Sequence, residues 1–206
     1  MTTRTFTHLY DSYDEAARVV GALEAAGVPH ADISIVGSNH DNRVPATTTT
    51  GSVANPAADT TTGAGTGASL GTIVGGGAGL LAGIGALAIP GVGPLVAAGW
   101  LIATLTGAGA GAAAGGLLGS LTGAGVHEND AHVYAEGVRR GGTLVTVRAD
   151  DTAASRIEPL LAGSGSVDIA ARRASYQAND WSRFDDTAAG YGTTQVEAER
   201  QRTRAL

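Results

Sequence analysis

"IPGVGP", residues 89–94, sets two prolines and two glycines into six positions at the centre of the least polar part of the chain. Such a cluster marks a turn, and the fold depends on what that turn joins. From Thr60 to Val126 there is no Asp, Glu, Lys, Arg or His, and 21 of these 67 residues are glycine. Each flank is long enough for a helix. The expected reading is therefore an inserted α-helical hairpin with arms Gly67–Pro90 and Pro94–Gly119.

Glycine recurs at every fourth position in both arms. The first ladder is Gly63, Gly67, Gly71, Gly75, Gly79 and Gly83; the second is Gly107, Gly111, Gly115, Gly119 and Gly123. Each interior helical glycine costs about 0.8–1 kcal/mol against alanine, so the eight between Gly67 and Gly85 cost roughly 6–8 kcal/mol. A helix of this composition needs packing, or a bilayer, to persist. Glycine at i, i+4 clears a groove along one ridge and lets a second backbone approach closely, as in a glycine zipper. These eleven glycines are the candidate helix-packing and self-association residues.

Two settings suit such a hairpin. Both arms have about the length that crosses a bilayer, and Trp100 near the turn suits an interface. A double crossing also leaves both flanking segments on one side. Against insertion, glycine and alanine dilute the hydrophobicity, and no Arg anchors either end. The alternative is a hairpin buried in a soluble homo-oligomer. The expected partners are a second copy of the chain and a lipid bilayer at the inner face of the cytoplasmic membrane.

Outward from the hairpin, strands and helices alternate. Residues 5–10, "TFTHLY", read as a strand. Ser12 and Glu15 match a capping box, Ala16, Val19, Val20 and Leu23 share a helical face, and Gly27 stops the helix. "DISIVG" is a second strand. Beyond the hairpin, Ala131, Tyr134, Ala135 and Val138 form a helical stripe, "TLVTVRAD" reads as a strand, and Asp151 caps a helix carrying Ala154, Ile157 and Leu161. "SVDIAARR" alternates Val167, Ile169 and Ala171 and is expected to be the last strand.

Four short strands do not make two separate cores. The expected fold is α+β: one split ferredoxin-like sandwich of four strands, with its helices on one face, interrupted by the glycine-zipper hairpin. The segments are residues 1–37 for the first half, 38–66 for a Thr/Gly/Ala linker, 67–126 for the hairpin, 127–175 for the second half and 176–206 for a polar tail. In that tail Trp181 and Phe184 are candidate docking anchors.

The segments "LYDSYDEAARVVGALEAAGVPHADISIVG" and "GAGVHENDAHVYAEGVRRGGTLVTVRADD", with the glycine-rich middle between them, resemble the bacterial general stress protein 17M-like family. The resemblance spans most of the chain apart from the linker and the tail. It implies a stress-linked bacterial protein without assigned catalytic residues.

The composition excludes several classes. Net charge is −6 with a pI near 5.2, against the basic face that nucleic acid demands. There is no Cys, hence no disulfide framework, thiolate nucleophile or Cys-ligated metal. There is no Lys, which rules out the usual phosphate loop. "GIGALA", residues 83–88, follows no strand and has no acidic residue about 20 positions on, so it is not a dinucleotide fingerprint. His127, Glu128, Asp130 and His132 have metal-ligand chemistry but read as a capped, solvated helix start. The "VRRGG" of 138–142 reads as a helix C-terminus whose Arg residues complement the dipole. No catalytic, metal or cofactor site is expected. The N-terminus lacks a secretory signal, which points to the cytoplasm. The expected function is a non-enzymatic, membrane-associated stress protein of structural role that self-assembles through its glycine-zipper helices; the alternative is a soluble homo-oligomeric module that senses a small ligand, its apolar hairpin buried in the assembly.

Overall fold

The computed structural model describes residues 3–40, 85–89, 92–101, 109–163 and 165–203. These form a mixed α+β structure. Strand β1 (Thr3–Tyr10) leads into helix α1 (Tyr13–Ala25), then a single 3-10 turn (His30–Asp32) and β2 (Ile33–Ser38). A hairpin of β3 (Gly85–Ile89) and β4 (Gly93–Gly99) follows. Then come α2 (Gly109–Gly123), α3 (Glu128–Arg139), β5 (Thr143–Asp150), α4 (Asp151–Leu161), α5 (Ile169–Gln177) and α6 (Thr193–Thr203).

Among the described residues the sheet has five strands in the order β1-β5-β2-β4-β3, every neighbouring pair antiparallel. β1 and β2 run parallel to each other and admit β5 between them, a split β-α-β arrangement. Phe6 faces Val147 across one seam, and Ile35 faces Val145 across the other. One sheet thus joins residues from both sides of the charge-free stretch.

Local signals act as their chemistry dictates. The Glu15 N–H donates to the Ser12 hydroxyl (3.2 Å) at the start of α1. Gly27 ends that helix at φ +85°. The cap of α4 falls one residue before the expected Asp151: the Asp150 carboxylate accepts from the Ala153 N–H at 2.9 Å.

Both faces of the sheet are covered, which corrects the expectation of helices on one face. On one face Phe6, Tyr10, Ile33, Ile35, Val145 and Val147 pack against α1 and against Ile157 and Leu161 of α4. On the other, Leu9, Val36, Leu95, Ala97 and Leu144 pack against Leu117 and Leu121 of α2 and Ala131, Ala135 and Val138 of α3. The physical reason lies in β2, whose six residues are all buried: both its faces need cover, and its Ser34 hydroxyl donates to the Ala98 carbonyl (2.9 Å) instead of to water.

The turn at 89–94 joins strands, a second correction. Ile89 pairs with Gly93 and Leu87 with Leu95, and β4 in turn pairs with β2. Pro94 stands near the start of its strand, where the missing N–H does least harm, and its carbonyl accepts from Asn39 N–H at 2.8 Å. Both expected arms therefore lose residues to the sheet. The Trp100 indole N–H, expected at a membrane interface, donates to the Asp32 carbonyl (3.1 Å). Among the described residues, no helix is long and apolar enough to cross a membrane.

"SVDIAARR" is the third correction. Its strand character stops at one bridge, Ser166 to Tyr10, with the Val167 N–H on the Leu9 carbonyl (2.9 Å). The Asp168 carboxylate then accepts from the N–H groups of Ala170 (2.8 Å) and Ala171 (3.1 Å) and starts α5. A good cap followed by "AARRA" outweighs the alternation of Val167, Ile169 and Ala171. Instead of gaining a strand beside β1, the sheet grows at the β2 side through β4 and β3.

Candidate functional site

Helix α2 carries the described part of the glycine ladder. Gly63, Gly67, Gly71, Gly75, Gly79, Gly83 and Gly107 lie outside the described residues, as does the expected linker from residue 41 onward. Gly111 and Gly115 fall in the first half of α2, and the helix is broken at Gly116 (φ 45°, ψ −137°). In the second half, Leu117 and Leu121 enter the core with at most 1 % exposure. Gly119 stands about 200° round the helix from Leu117, and Gly123 follows one turn on. Both are exposed, and among the described residues a Cβ at either would meet nothing within 4 Å. Gly119 and Gly123 therefore point away from the described body of the chain. Helix α2 bears no charged residue, and the Ser120 and Thr122 hydroxyls are turned back onto the carbonyls of Gly116 and Leu118.

Trp181 and Phe184 dock on their own chain. Phe184 is buried in the core between the sheet, α2 and α3. Trp181 sits edge-on to Tyr176, ring centroids 5.5 Å apart. They bring the tail back over the end of α3, where α6 seats Val196 on Gly141.

Under the tail lies a buried ionic cluster that the sequence did not disclose. Glu136 is fully buried, and its Oε1 accepts from Arg140 Nε (2.6 Å) and Arg139 Nη2 (2.7 Å). Arg140 also reaches Glu199 of α6 (3.3 Å) and lies 4.1 Å from the centre of the Tyr176 ring. Burial alone would lower the Arg140 pKa; the hydrogen bond and charge of Glu136, then the charge of Glu199, outweigh it and raise it. Burial pushes the Tyr176 hydroxyl up to about 12 against the opposing charges of Arg172 and Arg140. The "VRRGG" arginines thus clamp the tail as well as ending a helix. The i, i+4 spacing of Glu136 and Arg140 is visible in the sequence; Glu199, 59 residues further on, is not.

The cluster of His127, Glu128, Asp130 and His132 is not drawn to one point. His127 Nδ1 accepts from the Asn129 N–H (3.3 Å) as a cap. Asp130 pairs with Arg173, and Glu128 lies 4.0 Å from His132. Among the described residues, no group of three or more His, Asp or Glu side chains is arranged to hold a metal ion. On β1, His8 Nδ1 and the Ser166 hydroxyl are 2.8 Å apart, and burial lowers the His8 pKa against the charge of Glu158. This bond ties the 165–166 turn to β1.

Comparisons with protein-family models, with curated proteins and with solved structures found no match to the chain.

Proposed function

We propose that the chain is a non-enzymatic, stress-associated bacterial structural protein that self-assembles through its glycine-laddered segments. One observation carries the reading: on α2 the leucines of one face are buried, while Gly119 and Gly123 of the opposite face meet nothing among the described residues. A surface helix ordinarily turns charged residues to solvent. This one turns out bare backbone at four-residue spacing, which suits close approach of a second helix. The favoured partner is a second copy of the chain, since the charge-free region around α2 repeats the same spacing in its other arm. The stress context rests on the resemblance to the general stress protein 17M-like family, and the split β-α-β core is read as a ferredoxin-like unit lacking its last strand.

The assembly is read as cytoplasmic, soluble or peripheral to the inner face of the membrane. The strand state of 85–89 and 93–99 supports it over a hairpin inserted in the bilayer. Light scattering on the purified protein without detergent tests the reading, alongside alkaline-carbonate extraction of the host membranes. The expected result is a soluble particle of several 20.4 kDa subunits that carbonate releases. A monomer at all concentrations, or a carbonate-resistant pellet, contradicts it.

A further inference from the structure

The tail that closes over α3 leaves two adjoining clefts that share Trp181, Ser182 and Arg183 as a common wall. The first, about 420 Å³, lies between the start of α3 (Glu128, Asn129, His132), the end of α5 (Arg173, Gln177) and that wall. Its size is within the range of small-molecule sites.

Its chemistry is one-sided. Arg173 and Arg183 are permanent cations with donors only, and an indole N–H can only donate. Among the described residues, Trp181 Nε1 is buried without a hydrogen-bond partner, and so is His132 Nδ1. Arg183 is exposed and makes no ion pair among the described residues. Asp130 is neutralised by Arg173, and Glu128, on the outer rim with 77 % of its side chain exposed, is the cleft's one acceptor-only group. The wall beside Trp181 consists of the exposed residues Ser182 and Arg183. The second cleft, about 560 Å³, sets Asp180, Asp185 and Asp186 against Arg139 and Arg183 and disfavours negative charge.

From this we infer that the cleft between α3 and α5 binds a small organic anion, a carboxylate or a phosphate. Arg183 is its charge partner, Trp181 is the wall for its planar or apolar body, and Glu128 is the carboxylate of this cleft that opposes it. The inference is independent of self-assembly.

Fluorescence tests it, because Trp100 and Trp181 are the two tryptophans of the chain. In a Trp100→Phe background Trp181 alone reports. Benzoate and inorganic phosphate are titrated separately at fixed ionic strength. The expected result is a saturable change with at least one of them: benzoate alone assigns a carboxylate, phosphate alone a phosphate, and both a general anion site. Arg183→Gln is expected to weaken binding roughly tenfold. Glu128→Gln is expected to tighten it roughly threefold. Both side chains are exposed, so the fold survives either change, as circular dichroism checks. Opposite signs from two neutralising changes in one cleft are what a bound anion requires. No saturable change with either probe, an unaffected Arg183→Gln, or a Glu128→Gln that weakens binding overturns the inference.

Discussion

Gly99 approaches Ile33 so closely that a Cβ on Gly99 would stand 2.2 Å from the Ile33 carbonyl oxygen and 2.7 Å from Cα of Ser34. Gly99 also holds φ at +97°, where other residues are strained. It closes the seam that fixes the β3–β4 hairpin to the rest of the sheet. Gly99→Ala should cost roughly 3 kcal/mol or more, from the strained φ together with the backbone clash. Gly21→Ala, inside α1 with nothing within 4 Å, should stabilise by about 0.8–1 kcal/mol. Urea midpoints of the two variants check the opposite signs.

Glu136 holds two arginines from a position with no exposure to water. Glu136→Ala takes the carboxylate from Arg139 and leaves Arg140 with Glu199 alone, and should cost about 3 kcal/mol. Glu199→Ala should cost less, because Arg140 keeps Glu136. The same denaturation measurement, read as an ordering of the two variants, checks this; a larger loss at Glu199 would reverse the roles assigned to the body and the tail.

His8 gives the fold a pH dependence of definite sign. Burial, opposed by the charge of Glu158, holds its folded pKa below 6.5. As pH falls through 6.5 the unfolded chain takes up the proton first, so this contribution to stability is complete above that value and is lost below it. The drop in denaturation midpoint between pH 7.5 and pH 5.5 should shrink in His8→Gln. An unchanged drop would place the dependence elsewhere.

Where local chemistry decides the structure, it is legible in the sequence. Ser12 and Glu15 locate α1, and the stripe of Ala131, Ala135 and Val138 locates α3. The 85–99 stretch is different. Apart from its Gly and Pro residues, only Ala, Leu, Ile and Val occur in it, with no polar residue to mark a period, so a buried strand and a buried helix read alike. The decision there comes from the open edge of β2, a tertiary fact. Val167 and Ile169 alternate, yet one well-placed carboxylate at Asp168 converts the rest of the segment to helix. The ladder on α2 is plain in the sequence, whereas the direction it faces depends on Leu117 and Leu121 finding the sheet. The tail's hold on Arg140 and Gly141 involves pairings across more than fifty residues and leaves no local trace. Trp181 and Phe184 stand out as anchors, but nothing near them tells that their dock is their own chain.

Gly119→Ile tests the central claim most directly, because among the described residues the new side chain has open space to enter and isoleucine is the better helix former. The fold alone therefore predicts a protein of equal or slightly greater stability. The measurement is particle mass by light scattering for parent and variant in detergent-free buffer, with circular dichroism to confirm the fold. Self-assembly through the outward ladder predicts a multimeric parent and a variant shifted toward the 20.4 kDa monomer with its fold intact. A multimeric variant of unchanged mass, or a parent that is itself monomeric, would contradict the account.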